Sequence, residues 1–108
     1  MANADDVRRL ALTLPGTVAV PHFDRAAFRV ERIYATLDAA GLSLNLKLTP
    51  DEQEFKAMMS PEAFAPLPNK WGQQGWTSVD LAAVGIEELD AALRLAWEHG
   101  QAKTPKKR

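Results

Sequence analysis

His22 and Asp24 stand two residues apart in Pro21-His22-Phe23-Asp24-Arg25, and on an extended chain that spacing turns both side chains to one side. An imidazole beside a carboxylate is a base with the group that orients it, or two of the ligands of a metal site. The sequence does not complete either arrangement. The second histidine, His99, lies beside Gly100 at the end of a helical pattern, where an imidazolium meets the negative end of the helix dipole. The chain has no cysteine, hence no thiolate ligand and no thiol nucleophile. It also has no glycine-rich phosphate loop, no paired histidines at helical spacing and no Gly-x-Ser-x-Gly elbow. These residues read as noncatalytic, without cofactor or metal, and His22 as a hydrogen-bonding group of the structure or of a binding surface.

Binding chemistry is better represented. Pro66–Leu81 reads Pro-Leu-Pro-Asn-Lys-Trp-Gly-Gln-Gln-Gly-Trp-Thr-Ser-Val-Asp-Leu and holds two of the three tryptophans. Gly72 and Gly75 let the segment turn tightly, while Trp71 and Trp76 each bring a large apolar face and one N–H donor. Tryptophan is highly buried on average, so Trp71 is expected to close one end of the core. Trp76 either closes the core in the same way or lies on a binding surface, which Trp71 joins if it turns outward and to which Arg29, Lys47 and Lys70 add positive charge.

The elements that must position these groups follow from periodicity. Asn3 is placed as an N-cap, Asp5 and Asp6 favour the positive end of a helix dipole, and Val7, Leu10, Ala11 and Leu14 recur at helical spacing before Pro15-Gly16. The period then changes to two over Thr17–Val20, Ala26–Val30, Ile33–Leu37 and Leu42–Leu48. Leu42, Leu44, Leu46 and Leu48 are expected to face a core, which sends Ser43, Asn45 and Lys47 to the other side. Thr49-Pro50-Asp51-Glu52 is a capping box with proline at the first helical position, opening a helix with Phe55, Met58 and Met59 as its buried stripe. Ser60–Ala63 restarts a helical turn, with Phe64 and Leu67 inward. Trp76–Leu81 is a last strand, turning Trp76, Ser78 and Asp80 to the side of Lys47. Ile86, Leu89, Ala92, Leu93, Ala96 and Trp97 form the most regular amphipathic helix, with Gly100 as its C-cap.

Helix, four strands, helix, strand, helix is the order of an α+β domain. The fold expected is a two-layer sandwich, an antiparallel sheet with helices packed on one face and the other face open.

At 108 residues the chain is expected to form a single domain over 1–100, followed by a basic, disordered tail over 101–108. The net charge of −1 hides an uneven distribution. Residues 1–99 carry nine basic and fourteen acidic groups, and the last nine residues carry four basic groups and no acidic one. A polyanion is repelled by the helical side and could meet only the sheet face or the tail. No apolar run is long enough for a membrane span and the N-terminus has no signal-peptide pattern, so a cytoplasmic monomer is the expectation.

Three stretches together resemble the MmcQ/YjbR family of small bacterial proteins. They are Leu14-Pro15-Gly16 with Pro21-His22-Phe23 and Ala27-Phe28-Arg29-Val30; Leu46-Lys47-Leu48 before the Pro-Asp-Glu-Gln helix start; and Trp71-Gly72-Gln73-Gln74-Gly75-Trp76-Thr77-Ser78-Val79-Asp80-Leu81. The resemblance implies a fold similar to the frataxin-like sandwich, and a DNA-binding label often given to its members. It implies no catalytic residue, and frataxin's iron binding does not carry over, because Arg8 and Arg9 offset Asp5 and Asp6 in the first helix. Two functional readings follow. One is a noncatalytic domain that binds nucleic acid weakly through the open face, using Arg29, Lys47 and Lys70 on phosphates and Trp76 on a base. The other binds a small anion, peptide or protein partner at the Trp71–Trp76 loop, with no nucleic acid. A membrane is excluded as partner in both.

Overall fold

The structure is a computed structural model that describes residues 2–101. Four helices and six strands follow in the order α1 (Ala4–Thr13), β1 (Val18–His22), β2 (Arg25–Arg29), β3 (Ile33–Leu37), β4 (Ser43–Lys47), α2 (Pro50–Met59), β5 (Phe64–Pro66), α3 (Lys70–Gln73), β6 (Trp76–Asp80) and α4 (Ile86–Gln101). The strands form one antiparallel sheet ordered β1-β2-β3-β4-β6-β5. Gln101, assigned by its sequence to the tail, ends α4 instead, and residues 102–108 lie outside the described residues.

Both capping boxes form as their residues require. Asn3 Oδ1 accepts from Asp6 N while Asp6 returns a carboxylate oxygen to Asn3 N, and Thr49 and Glu52 do the same for α2. One side of the sheet carries Phe28, Ala35, Leu37, Leu44, Leu46, Phe64 and Val79. They are buried against Val7, Ala11 and Leu14 from the α1 end and Leu89, Ala92, Leu93 and Ala96 of α4. That continuous apolar layer is the dominant stabilising term. Trp97 pins α4 to the α1–β1 link by donating Nε1–H to Pro15 O at 2.9 Å.

Several sequence expectations are corrected. Leu44, Leu46 and Leu48 are buried, but Leu42 is 68% exposed. The strand starts only at Ser43, and Leu42 belongs to the turn in which Asp38 Oδ1 accepts its N–H at 2.9 Å. In α2 the phase is shifted by two residues, about 200° around the axis. Gln53, Lys56 and Ala57 face the body of the protein, and Phe55, Met58 and Met59 face outward. What sets the phase is a polar contact that hydropathy does not register: the buried Gln53 donates Nε2–H to both Gly72 O and Trp76 O at 3.0 Å.

Ser60–Ala63 makes a turn rather than a helical restart, and Phe64–Pro66 becomes an edge strand on β6, so the sheet has six strands where five were expected. Gly100 lies inside α4 and is no C-cap. Its missing Cβ lets the helix pass over Tyr34, where a methyl would come within 3.0 Å of the ring.

A bulge in β3 shapes the other side of the sheet. Phe28 pairs with Ala35 but Arg29 pairs with Ile33, which leaves Tyr34 as the extra residue. Tyr34 and Ala35 both enter the core, Tyr34 with its hydroxyl 2.8 Å from Thr17 Oγ1. Ile33 is thereby turned to the face away from the helices.

Candidate functional site

The face away from α1 and α4 is concave. Ile33, Thr36, Asn45 and Trp76 lie on its floor, the β1–β2 turn (His22 to Arg25) raises one wall, and Leu67 with Trp71 raises the other. Together they enclose a cavity of about 580 Å³. A second cavity of about 290 Å³ adjoins it, lined by Arg32, Ile33, Lys47, Trp76 and His99. Ile33 and Trp76 belong to both.

The tryptophan loop owes its path to its two glycines. A Cβ on Gly72 would fall 1.9 Å from Leu67 O, and one on Gly75 would fall 1.8 Å from Leu48 O, with Gly75 at φ +107°. The backbone can therefore lie directly on its neighbours, and Leu48 N donates to Gly75 O at 3.1 Å. Asn69 caps the short α3 by accepting from Trp71 N. This loop turns Trp71 outward, 53% exposed, and the expectation that it closes the core is corrected. On the inner side of the loop, Gly72 lies against the backbone of Leu67 and its carbonyl accepts from the Gln53 amide.

The opposite wall is a two-residue hairpin turn, Phe23-Asp24, between the paired His22 and Arg25. Phe23 has φ +61° and a ring that is 95% exposed. A hairpin loop with positive φ at its first position is the place where glycine is ordinarily found. A bulky residue there costs about 1–3 kcal/mol of backbone strain. The ring meets His22 edge-on, centroids 4.9 Å apart. His22 makes no side-chain hydrogen bond among the described residues, contrary to expectation, because the turn carries it to an exposed rim. No group of three His, Cys, Asp or Glu able to hold a metal occurs among the described residues.

The cations proposed for phosphate binding are differently employed. Lys47 Nζ donates to Gln74 O at 2.7 Å and Leu48 O at 3.1 Å, tying the tryptophan loop to the sheet. Burial lowers its pKa, Glu52 opposes the shift, and nearby Arg32 reinforces it. Arg29 donates to Val30 O, and neither it nor the exposed Lys70 lines either cavity. Arg25, which the sequence did not single out, lies over Thr36 and donates to both its hydroxyl and its carbonyl at 2.9 Å. Of the six residues singled out as binding, His22, Trp71 and Trp76 share the larger cavity and Lys47 lines the smaller. Ser43 and Asp80, also assigned to this face, are engaged in turns with Asp38 and Ala82.

His99 does not simply meet the dipole of its own helix. Its Nε2 is 2.9 Å from Glu52 Oε1, the oxygen that also accepts Thr49 N. Burial of Glu52 opposes its charge, but the Thr49 N–H and the His99 contact outweigh burial and hold its carboxyl below the usual carboxylate range. Protonation of Glu52 is thus harder in the folded chain than in the unfolded one. Its contribution to stability is whole above the ordinary value and is lost as pH falls through the lower folded value. Glu52→Gln is expected to lower the urea midpoint at pH 6 and to make the fall in midpoint between pH 5 and pH 3 shallower. A midpoint unchanged at pH 6 would refute the role given to this carboxylate.

A six-stranded antiparallel sheet with its helical layer on one face and a walled cavity on the other defines a small α+β domain of the two-layer kind. The YjbR family model matches residues 12–99, and the chain belongs to the YjbR family. It is similar in structure to the Deinococcus radiodurans protein DR2400, whose crystal structure carries a DUF419 domain. The TM-score is 0.75 at 28% sequence identity, over 89% of this chain and 76% of that one. No curated protein matches it. No helix among the described residues is long and apolar enough to cross a membrane.

Proposed function

We propose that this domain is a noncatalytic binding module that receives a flat, mainly apolar group in the cavity between the Phe23 turn and Trp71. The observation that carries the reading is the pairing of two exposed aromatic walls over a floor of Ile33 and Trp76. Thr36, Asn45 and Arg25 supply a few fixed polar groups at its edge. A largely apolar concavity with sparse, placed polar groups is the ordinary design of a ligand site, and about 580 Å³ is within the usual range. The cost of ordering is already met, since Gly72, Gly75, Gln53 and Lys47 hold the tryptophan loop in place before anything binds.

Nucleic acid is the weaker reading. Phosphate contacts supply most of the affinity of nucleic-acid binders. Here Lys47 has one ammonium proton left after its two backbone carbonyls, while Arg29 and Lys70 line neither cavity.

The test is a titration with 2-naphthylacetamide, a neutral flat probe, followed through the ¹H–¹⁵N indole signals of the protein. At about 0.3 kcal/mol per non-hydrogen atom its roughly 14 atoms give a Kd of about 1 mM. The Trp71 and Trp76 signals are expected to shift together while that of Trp97, bonded to Pro15 O, stays in place. Silence of both cavity indoles, with a response to single-stranded or duplex DNA at low salt instead, would overturn the proposal in favour of the nucleic-acid reading.

A further inference from the structure

The smaller cavity differs in kind from the one it adjoins. Arg32, Lys47 and His99 come from the β2–β3 turn, β4 and the last turn of α4, and the three basic side chains converge on about 290 Å³. Like charges repel, and bringing them around one space is unfavourable unless an anion enters it. Burial lowers the Lys47 pKa, Glu52 opposes that shift, and Arg32, the smallest influence of the three, adds to it.

The donors are also unspent. The Arg32 side chain makes no hydrogen bond or ion pair among the described residues. Lys47 gives its ammonium two carbonyls and keeps a third proton. The Trp76 indole N–H, in the wall common to both cavities, has no acceptor among the described residues. A carboxylate close behind, Glu52, is occupied by His99 and by Thr49 N.

We infer that the ligand is an amphipathic organic acid, with its apolar body between Phe23 and Trp71 and its carboxylate at Arg32, the third Lys47 proton and the Trp76 N–H. The inference rests on the binding reading above and deepens it. The charge balance selects the headgroup. Arg32 and Lys47 against Glu52 leave one net positive charge when His99 is neutral, which suits a monoanionic carboxylate better than a phosphate dianion. The geometry agrees, because the two spaces adjoin at Ile33 and Trp76, which line both.

The experiment compares 2-naphthylacetate with its neutral isostere 2-naphthylacetamide by the same indole signals at pH 7 and low salt. A charge-assisted contact gives the carboxylate about tenfold tighter binding. That preference is expected to vanish in Arg32→Gln and to return in part in Arg32→Lys. Because the exposed Arg32 side chain makes no hydrogen bond or ion pair among the described residues, both variants are expected to melt with the parent chain. Equal affinity for the two probes in the parent chain, or a preference that survives Arg32→Gln, overturns the anion assignment and leaves the apolar cavity standing. If neither probe moves Trp71, the binding reading itself has failed and this inference with it.

Discussion

Gly75→Ala is expected to destabilise the domain by about 3 kcal/mol or more, a fall in Tm of roughly 12 °C or greater for a domain of this size. Two independent costs combine. At φ +107° an alanine is strained wherever it points, and here its methyl would sit 1.8 Å from Leu48 O and 2.7 Å from the carbonyl carbon. The neighbour is backbone, so no side chain can rotate aside. The loop must lift, which breaks the Leu48 N to Gly75 O bond and disturbs the Lys47 contact with Gln74 O. Thermal melting with far-ultraviolet circular dichroism measures the effect. A fall of less than about 5 °C would show that the loop leaves Leu48 freely and that Trp76 is not held where the cavities need it.

Trp71→Ala is expected to act in the opposite sense, weakening 2-naphthylacetamide by about tenfold while the Tm moves by no more than about 2 °C. The reason is the exposure of the residue, 53%, on α3. Removing it strips one wall from the cavity and one aromatic face from the ligand, a loss of about 1–1.5 kcal/mol. Little packing behind it depends on the ring, since α3 is fastened by Asn69 at its cap and by Gln53 at Gly72 O. A drop of 8 °C or more with unchanged probe affinity would return Trp71 to the structural role first expected of it.

The fold was largely legible because its signals are local and redundant. The alternating leucines of β4, the Thr49–Glu52 box and the repeat of α4 each point to one element, and all are found there. The site was legible only in part. Trp76 and Lys47 were placed on one face by simple alternation, and they do pair across β4 and β6. Alternation could not place Ile33, because a bulge at Tyr34 reverses it and bulges leave no dependable mark in a single sequence. The α2 stripe failed for a related reason. Phe55, Met58 and Met59 form a credible apolar face, but the helix is oriented by one amide reaching two carbonyls on a distant segment. Long-range polar contacts of that kind are settled by the assembled backbone. Phe23-Asp24 lacks the usual Asn-Gly or Gly-x signature of a two-residue hairpin turn, which is why one wall of the cavity went unread.

Trp76 stands as a party wall between the two chambers. Any substitution there alters both rooms at once, and its effect on affinity cannot be apportioned between hydrocarbon and headgroup. The same position makes the residue a native reporter, since an occupant on either side meets the one indole. Questions about either chamber alone are therefore best put to Trp71 or to Arg32, each of which borders a single space.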